Sequence, residues 1–225
     1  MESKSALVLF TGGVDSVTLL AWAVEGYSCR ALYLRTAEHE SCELESAKAA
    51  AEAAKVKLDV IDISQPVAAL VGKDVPIPFG CTLALSMAVA YATRVGIDTV
   101  MLGITADDIK SGQNPEVTCS YLQRFEEAVK TARKTMQILT PFSQKNSQEV
   151  CELGKKLGVD YSKTWSCNNL QGKEHCGKCY SCTARRKAFA ASNIQDLTTY
   201  TNEDTTNTDI IVGCNPKNSC CIFIC

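Results

Sequence analysis

Long hydrophobic runs are missing from this 225-residue chain. Its apolar stretches fall well short of the roughly 20 residues a membrane span needs, so no membrane association is expected. A surplus of one charge is missing as well. The net charge of −2 gives no overall basic footprint for nucleic acid, and no stable nucleic-acid partner is expected. Met1 to Ser5 lacks the layout of a secretory signal, and Ala6–Phe10 is too short for its apolar core. The expected compartment is the cytoplasm. There is no internal repeat. Neither G-x-x-x-x-G-K-[ST] nor G-x-G-x-x-G occurs, which excludes the two best-known phosphate loops.

Apolar residues, by contrast, make up 46% of the chain, enough for a sizeable core. Cysteine is plentiful at 13. An odd count with four members clustered points to thiol or metal chemistry rather than to a secreted disulfide framework.

The most informative stretch is Leu7-Val8-Leu9-Phe10-Thr11-Gly12-Gly13-Val14-Asp15-Ser16. It opens as a continuous apolar run, the pattern of a buried parallel strand. It turns through two glycines and enters an apolar-periodic segment that reads as a helix. A helix N-terminus presents unpaired N–H groups and the positive end of the dipole, which together favour an anion. Gly12 and Gly13 are expected to let the backbone approach a phosphate without an intervening Cβ, and Thr11 and Ser16 add hydroxyl donors. Thr-Gly-Gly-Val-Asp-Ser resembles the [ST]-G-G-x-D-S loop of the PP-loop ATP pyrophosphatase superfamily. The resemblance implies that Phe10, Thr11, Gly12, Gly13, Val14, Asp15 and Ser16 bind ATP, whose use adenylates a substrate oxygen and releases pyrophosphate.

Strands are expected at Ala6–Phe10, Cys29–Leu34, Lys57–Ile63, Thr99–Leu102 and Met136–Leu139. Helices are expected at Val14–Glu25, ended by Gly26, and at Glu43–Lys55, Thr82–Val95, Ser120–Arg133, Ser147–Leu157 and Thr183–Ala191, with Ser147 as an N-cap. Ser64–Gly80, with Pro66, Pro76 and Pro78, reads as a loop with a helical turn, and Thr105–Thr118 as a polar loop. This rhythm implies an α/β fold with right-handed crossovers and a parallel sheet. Ligands collect outside the carboxyl ends of such strands. Four loops therefore converge: Thr11–Ser16, Arg35–Cys42, Ile104–Thr118 and Thr140–Asn146.

Cys167, Cys176, Cys179 and Cys182 form C-x8-C-x2-C-x2-C. Four thiolates at these spacings suit tetrahedral Zn²⁺ in a closed structural site, with an iron–sulfur cluster as the competing reading. Gly172 and Gly177 loosen the chain where it turns. His175 is expected to be a surface imidazole rather than a ligand. Arg185, Arg186 and Lys187 are expected on a solvated helix face. The expected organisation is an ATP-binding domain at 1–160, a zinc-binding segment and helix at 161–195, and a poorly ordered tail at 196–225 holding Cys214, Cys220, Cys221 and Cys225.

The phosphate loop, the four cysteines and Trp165-Ser166-Cys167 together resemble the 7-cyano-7-deazaguanine synthase family, over about Leu7 to Ser192. Leu102-Gly103 with Asp108, Ser111-Gly112 and Pro115-Glu116 resembles that family's substrate loop, and Thr140-Pro141 with Lys145 its Thr-Pro…Lys segment. The resemblance implies a Rossmann-like fold of the adenine nucleotide alpha hydrolase type and a homodimer. It also implies ATP-driven conversion of 7-carboxy-7-deazaguanine and ammonia to the amide and then the nitrile, in queuosine and archaeosine precursor synthesis. Asp15 then suits Mg²⁺ against the phosphates, Ser16 completes the loop, and Lys145 supplies a point charge. Glu116 or Asp108 can accept from the N–H edge of a guanine-like base.

Three segments depart from the family pattern. Arg35-Thr36-Ala37 stands for Asp-Tyr-Gly, Ile77-Pro78-Phe79-Gly80-Cys81 for Val-Pro-Gly-Arg-Asn, and Pro115-Glu116-Val117-Thr118 for Pro-Asp-Cys-Arg. Two arginine forks that could clamp an anion are thereby lost. A divergent relative acting on another 7-deazapurine, or joining one to a macromolecule, is one alternative. A tRNA-thiolating PP-loop enzyme recruiting Cys29, Cys42, Cys81, Cys119 or Cys151 is a second, and a non-catalytic nucleotide- or zinc-binding module a third.

Overall fold

The structure is a computed structural model that describes residues 4–36, 42–70, 79–168 and 174–202. Ala37, Pro76, Ile77, Pro78, Gly172 and the tail cysteines, all invoked above, lie outside the described residues.

Five parallel strands form one sheet in the order β3-β2-β1-β4-β5. They are β1 (Ser5–Leu9), β2 (Ser28–Arg35), β3 (Lys57–Asp62), β4 (Thr99–Met101) and β5 (Gln137–Leu139). The helices are α1 (Val14–Ala23), α2 (Cys42–Ala53), α3 (Ser64–Leu70), α4 (Gly80–Arg94), α5 (Ala106–Ser111), α6 (Cys119–Ala132), α7 (Ser147–Lys156) and α8 (Tyr180–Ala191). Among the described residues, no helix is long and apolar enough to cross a membrane.

From Ala6 onward the central strand is apolar because both its faces are covered. Leu7 and Leu9 point into a layer shared with Leu85, Ala88 and Leu122 of α4 and α6. Ala6, Val8 and Phe10 point into the opposite layer with Leu19, Leu20, Ala47 and Val150 of α1, α2 and α7. β1 pairs with β2 on one side and β4 on the other. The chain therefore reverses its winding direction at the carboxyl end of β1, where a crevice opens between diverging connections. The turn into α1 occupies that crevice.

Three local readings are corrected. Gly26 does not close α1 in the left-handed conformation: the helix stops at Ala23 with Val24 as C-cap, and Gly26 follows in a turn bonded to the Ala23 carbonyl. Ser147 is not the cap of α7. Asn146 is, in a capping box with Glu149. The polar segment 105–118 is not all loop but holds α5 and a 3-10 turn at Pro115–Val117. The signal for α5 lies in Thr105 and Asp108, which form a capping box with both reciprocal bonds. At six residues that helix is too short to show a hydrophobic period.

Candidate functional site

The turn from β1 into α1 is bonded within itself. Ser16 Oγ donates to the Gly13 carbonyl at 3.1 Å, shares a hydrogen bond with Thr11 Oγ1 at 3.1 Å and accepts from the Thr11 N–H at 3.3 Å. The two glycines do different work. Gly12 is left-handed at φ +79°, and a Cβ there would lie 2.6 Å from the backbone nitrogen of Ala47. Glycine is thus required there by α2. Gly13 is the N-cap of α1 at φ −77°, and a Cβ there meets nothing closer than 3.4 Å. Gly13 is the position that leaves room for a ligand. Gly103 at the end of β4 lets α1 approach, since its Cβ would stand 3.1 Å from the Asp15 backbone.

Asp15 opens α1 in this crevice. Burial, then Asp108 and Asp107, push its carboxyl up to about 8. An apolar setting with neighbouring negative charge disfavours the ionised form, and a bound cation reverses that balance. Asp107 Oδ2 accepts from the N–H and Oγ of Ser147, both at 2.8 Å. Asp108 Oδ2 accepts from the N–H and Oγ1 of Thr105 at 2.8 and 2.7 Å. Lys145 is exposed, and its carbonyl accepts from Ala106 N–H at 2.8 Å, which joins the loops after β4 and β5. Glu116 is buried. Its Oε2 accepts from the N–H and Oγ1 of Thr82 at 2.7 and 2.9 Å. Val117 beside it packs in the α4–α6 layer, whereas α1, which Asp15 opens, packs in the opposite layer.

The four cysteine sulfurs Cys167, Cys176, Cys179 and Cys182 lie within 4.8 Å of one another. Backbone N–H groups of Cys176, Cys179 and Cys182 donate to the sulfurs of Cys167, Cys176 and Cys179 at 3.2, 3.3 and 3.4 Å. Bonds from the Cys167 and Cys182 side chains, aided by backbone N–H groups of Asn168 and Cys182, hold the Cys179 thiol well below its ordinary range. This is a donor set ready to take a thiophilic cation.

Two expectations about this segment are overturned. His175 is not at the surface but buried. Its ring stacks on Trp165 at 4.3 Å, its Nε2 accepts from Ser166 N–H at 3.0 Å, and burial pushes its pKa down to about 4. Arg185 is not on a solvated face. Its side chain is 1% exposed and pairs with Asp196 at 3.2 Å. Residues 196–202 cross the cysteine turns: His175 exchanges backbone bonds with Thr199 and Thr201, and Asn202 Nδ2 donates to the Cys176 carbonyl at 2.8 Å. Trp165 touches the Gly-Gly turn through its backbone, a contact that spacing does not disclose. Its N–H donates to the Gly12 carbonyl at 3.1 Å.

A parallel sheet with a Gly-Gly turn at its switch point, carrying a four-cysteine candidate metal site, defines an α/β protein with the fold of the NAD and NMN synthetases. NMN synthetase from Francisella tularensis shares this fold, with a TM-score of 0.56 at 16% identity over 87% of this chain and 79% of its own. The chain belongs to the family described as queuosine biosynthesis protein QueC, which matches residues 5–78 and 68–193. Among its relatives is the 7-cyano-7-deazaguanine synthase of Acinetobacter baylyi, 35% identical over 87% of this chain and 94% of the relative. That of Saccharophagus degradans is 34% identical over 90% and 100%.

Proposed function

We propose that this chain is a ligase that uses ATP to convert 7-carboxy-7-deazaguanine and ammonia to 7-cyano-7-deazaguanine. The observation that carries the reading is the phosphate loop at the switch point of the sheet, in a chain of the QueC family. Phe10 to Ser16 hold the ATP phosphates on the N–H groups of the α1 N-terminus. The substrate carboxylate displaces pyrophosphate and becomes an acyl adenylate, ammonia displaces AMP to give the amide, and a second activation dehydrates that amide. Holding both reactants in one crevice supplies much of the rate.

Asp15 would hold Mg²⁺, because a carboxyl destabilised by burial and two acidic neighbours is relieved by a cation. Bound there, the ion would neutralise phosphate charge. Ser16 orients the loop, and Lys145 reaches the phosphates from the loop after β5. Glu116 Oε1, or Asp108 Oδ1, accepts from the base edge, the other oxygen of each being engaged by Thr82 or Thr105. Cys167, Cys176, Cys179 and Cys182 would hold Zn²⁺, which would supply folding energy rather than chemistry. A homodimer in the cytoplasm belongs to the same reading.

A second reading, a relative acting on another 7-deazapurine, is favoured by one observation. The two family arginines are replaced by residues with structural tasks: Gly80 starts α4 and Thr118 caps α6. The reaction mixture tests both readings. The account expects AMP and pyrophosphate to form in step with the substrate acid consumed. ATP cleavage only with another 7-deazapurine would establish the second reading in place of the first.

A further inference from the structure

The bend of the phosphate loop is held from outside. Gly12 takes the left-handed turn, and its carbonyl accepts from the N–H of Trp165. The carbonyl of Trp165 lies 3.4 Å from the Cβ position of Gly13. The loop therefore leans on residues 164–166, a stretch with no helix or strand of its own.

Two groups fix that stretch. Arg185 donates through Nη1 to Thr164 Oγ1 and Ser166 Oγ at 2.7 and 3.2 Å, and through Nη2 to the Tyr161 carbonyl at 2.9 Å. Its Nε pairs with Asp196, so all three nitrogens of the fork are engaged. The cysteine segment does the rest: Trp165 Nε1 donates to the Cys167 carbonyl at 2.7 Å, and the indole stacks on His175. Arg185 stands three residues after Cys182 on α8, so a metal ligand and this cation share one helical turn.

We propose that Arg185 is a positioning residue for the phosphate loop, and that a cation in the four-cysteine site sets the loop's affinity for ATP through Cys167, Trp165 and Gly12. The proposal rests on the ATP reading of the loop. A loop that binds phosphate by backbone N–H groups gains affinity when those groups are already fixed. A glycine freed from its carbonyl partner samples a wide range of φ, and binding must then order it.

The test uses the full chain with its metal content measured. Stripping the metal with a chelator should speed amide exchange at residues 11–14 by about tenfold or more, while β2 amides are unaffected. Arg185→Lys keeps the charge and the metal but loses the fork. It should bind ATP about tenfold more weakly, an ordinary coupling between sites, with kcat at saturating ATP within about twofold of the parent. A merely structural role would lower stability and leave both exchange in the loop and ATP affinity unchanged, and that result overturns the proposal. If Arg185→Lys does not fold, exchange in the parent decides. A parent that binds no ATP overturns the ATP reading and the affinity claim with it, while the exchange measurement still reports on the mechanical link.

Discussion

The phosphate loop and the four-cysteine segment are both short and both rich in turns, yet they are built in opposite ways. The loop is a backbone object. Its bend is enforced by α2 at Gly12, by β4 at Gly103 and by hydroxyls that bond within it. The cysteine segment is a side-chain object. Its small core consists of Trp165, Cys167 and Cys182, with Cys42, Cys176, Cys179 and Tyr200 packed against them, so sulfur supplies most of what aliphatic carbon supplies elsewhere. The loop's bend is set by the backbones that press on it, α2, β4 and residues 164–166, whereas the segment depends on what the sulfurs hold. A backbone site fails when a side chain is added, and a sulfur site when one is changed.

Adding a Cβ at each glycine is the sharpest way to break this comparison. Gly12→Ala forces a left-handed alanine against α2 and should destabilise the fold by about 2–5 kcal/mol in urea unfolding, overpacking and strain adding together. Gly13→Val should leave the fold largely intact and abolish ATP binding in calorimetry. Equal stability loss in the two variants would mean that the two glycines are not divided as described.

Cys179→Ser attacks the other region. It should release the metal and destabilise the C-terminal segment by about 2 kcal/mol or more, seen as faster amide exchange across residues 164–202 while β1 stays protected. Elemental analysis of the parent should find about one zinc per chain. Iron with inorganic sulfide would contradict the structural role.

Glu116→Gln should lower kcat/KM for a 7-deazaguanine acid by about ten- to a hundredfold, because a ligand donor pair loses its charged acceptor. ATP affinity should hardly change, since Glu116 lies beside the α4–α6 layer and α1 packs in the opposite one. Asp108→Asn is the comparison for the neighbouring carboxylate.

The smallest effect concerns Glu43, at the start of α2 beside Gly12. Burial, against a hydrogen bond from Tyr33, pushes its carboxyl up to about 7. Between its unfolded value near 4.5 and 7, the folded chain holds a proton that the unfolded chain has lost. Stability therefore falls as pH rises through that window and levels off above it. Glu43→Gln should remove that slope, gaining on the order of 1 kcal/mol above pH 7.

The strand–turn–helix at Thr11 to Ser16 was legible because two glycines interrupt an apolar pattern there, and the strands because continuous apolar runs such as Leu7–Phe10 have few other uses. The cysteine spacing was legible because its members lie close together in the chain. The surroundings were not. His175 is buried by Trp165 and Tyr200, and Arg185 is neutralised by Asp196. These partners are set by tertiary packing, and no local pattern marks them. Gly12 and Gly13 look equivalent in sequence, and only the position of Ala47 separates their tasks. A clue in reach was the Thr105-x-x-Asp108 box, a helix-start signal inside an apparently shapeless loop.

Mass analysis of the product formed from 7-carboxy-7-deazaguanine, ATP, Mg²⁺ and nitrogen-labelled ammonium bears most directly on the central claim. The account predicts the nitrile, with one labelled nitrogen and AMP as the nucleotide product. Unchanged acid in a chain that binds ATP would contradict it, and would assign this phosphate loop to a different acceptor.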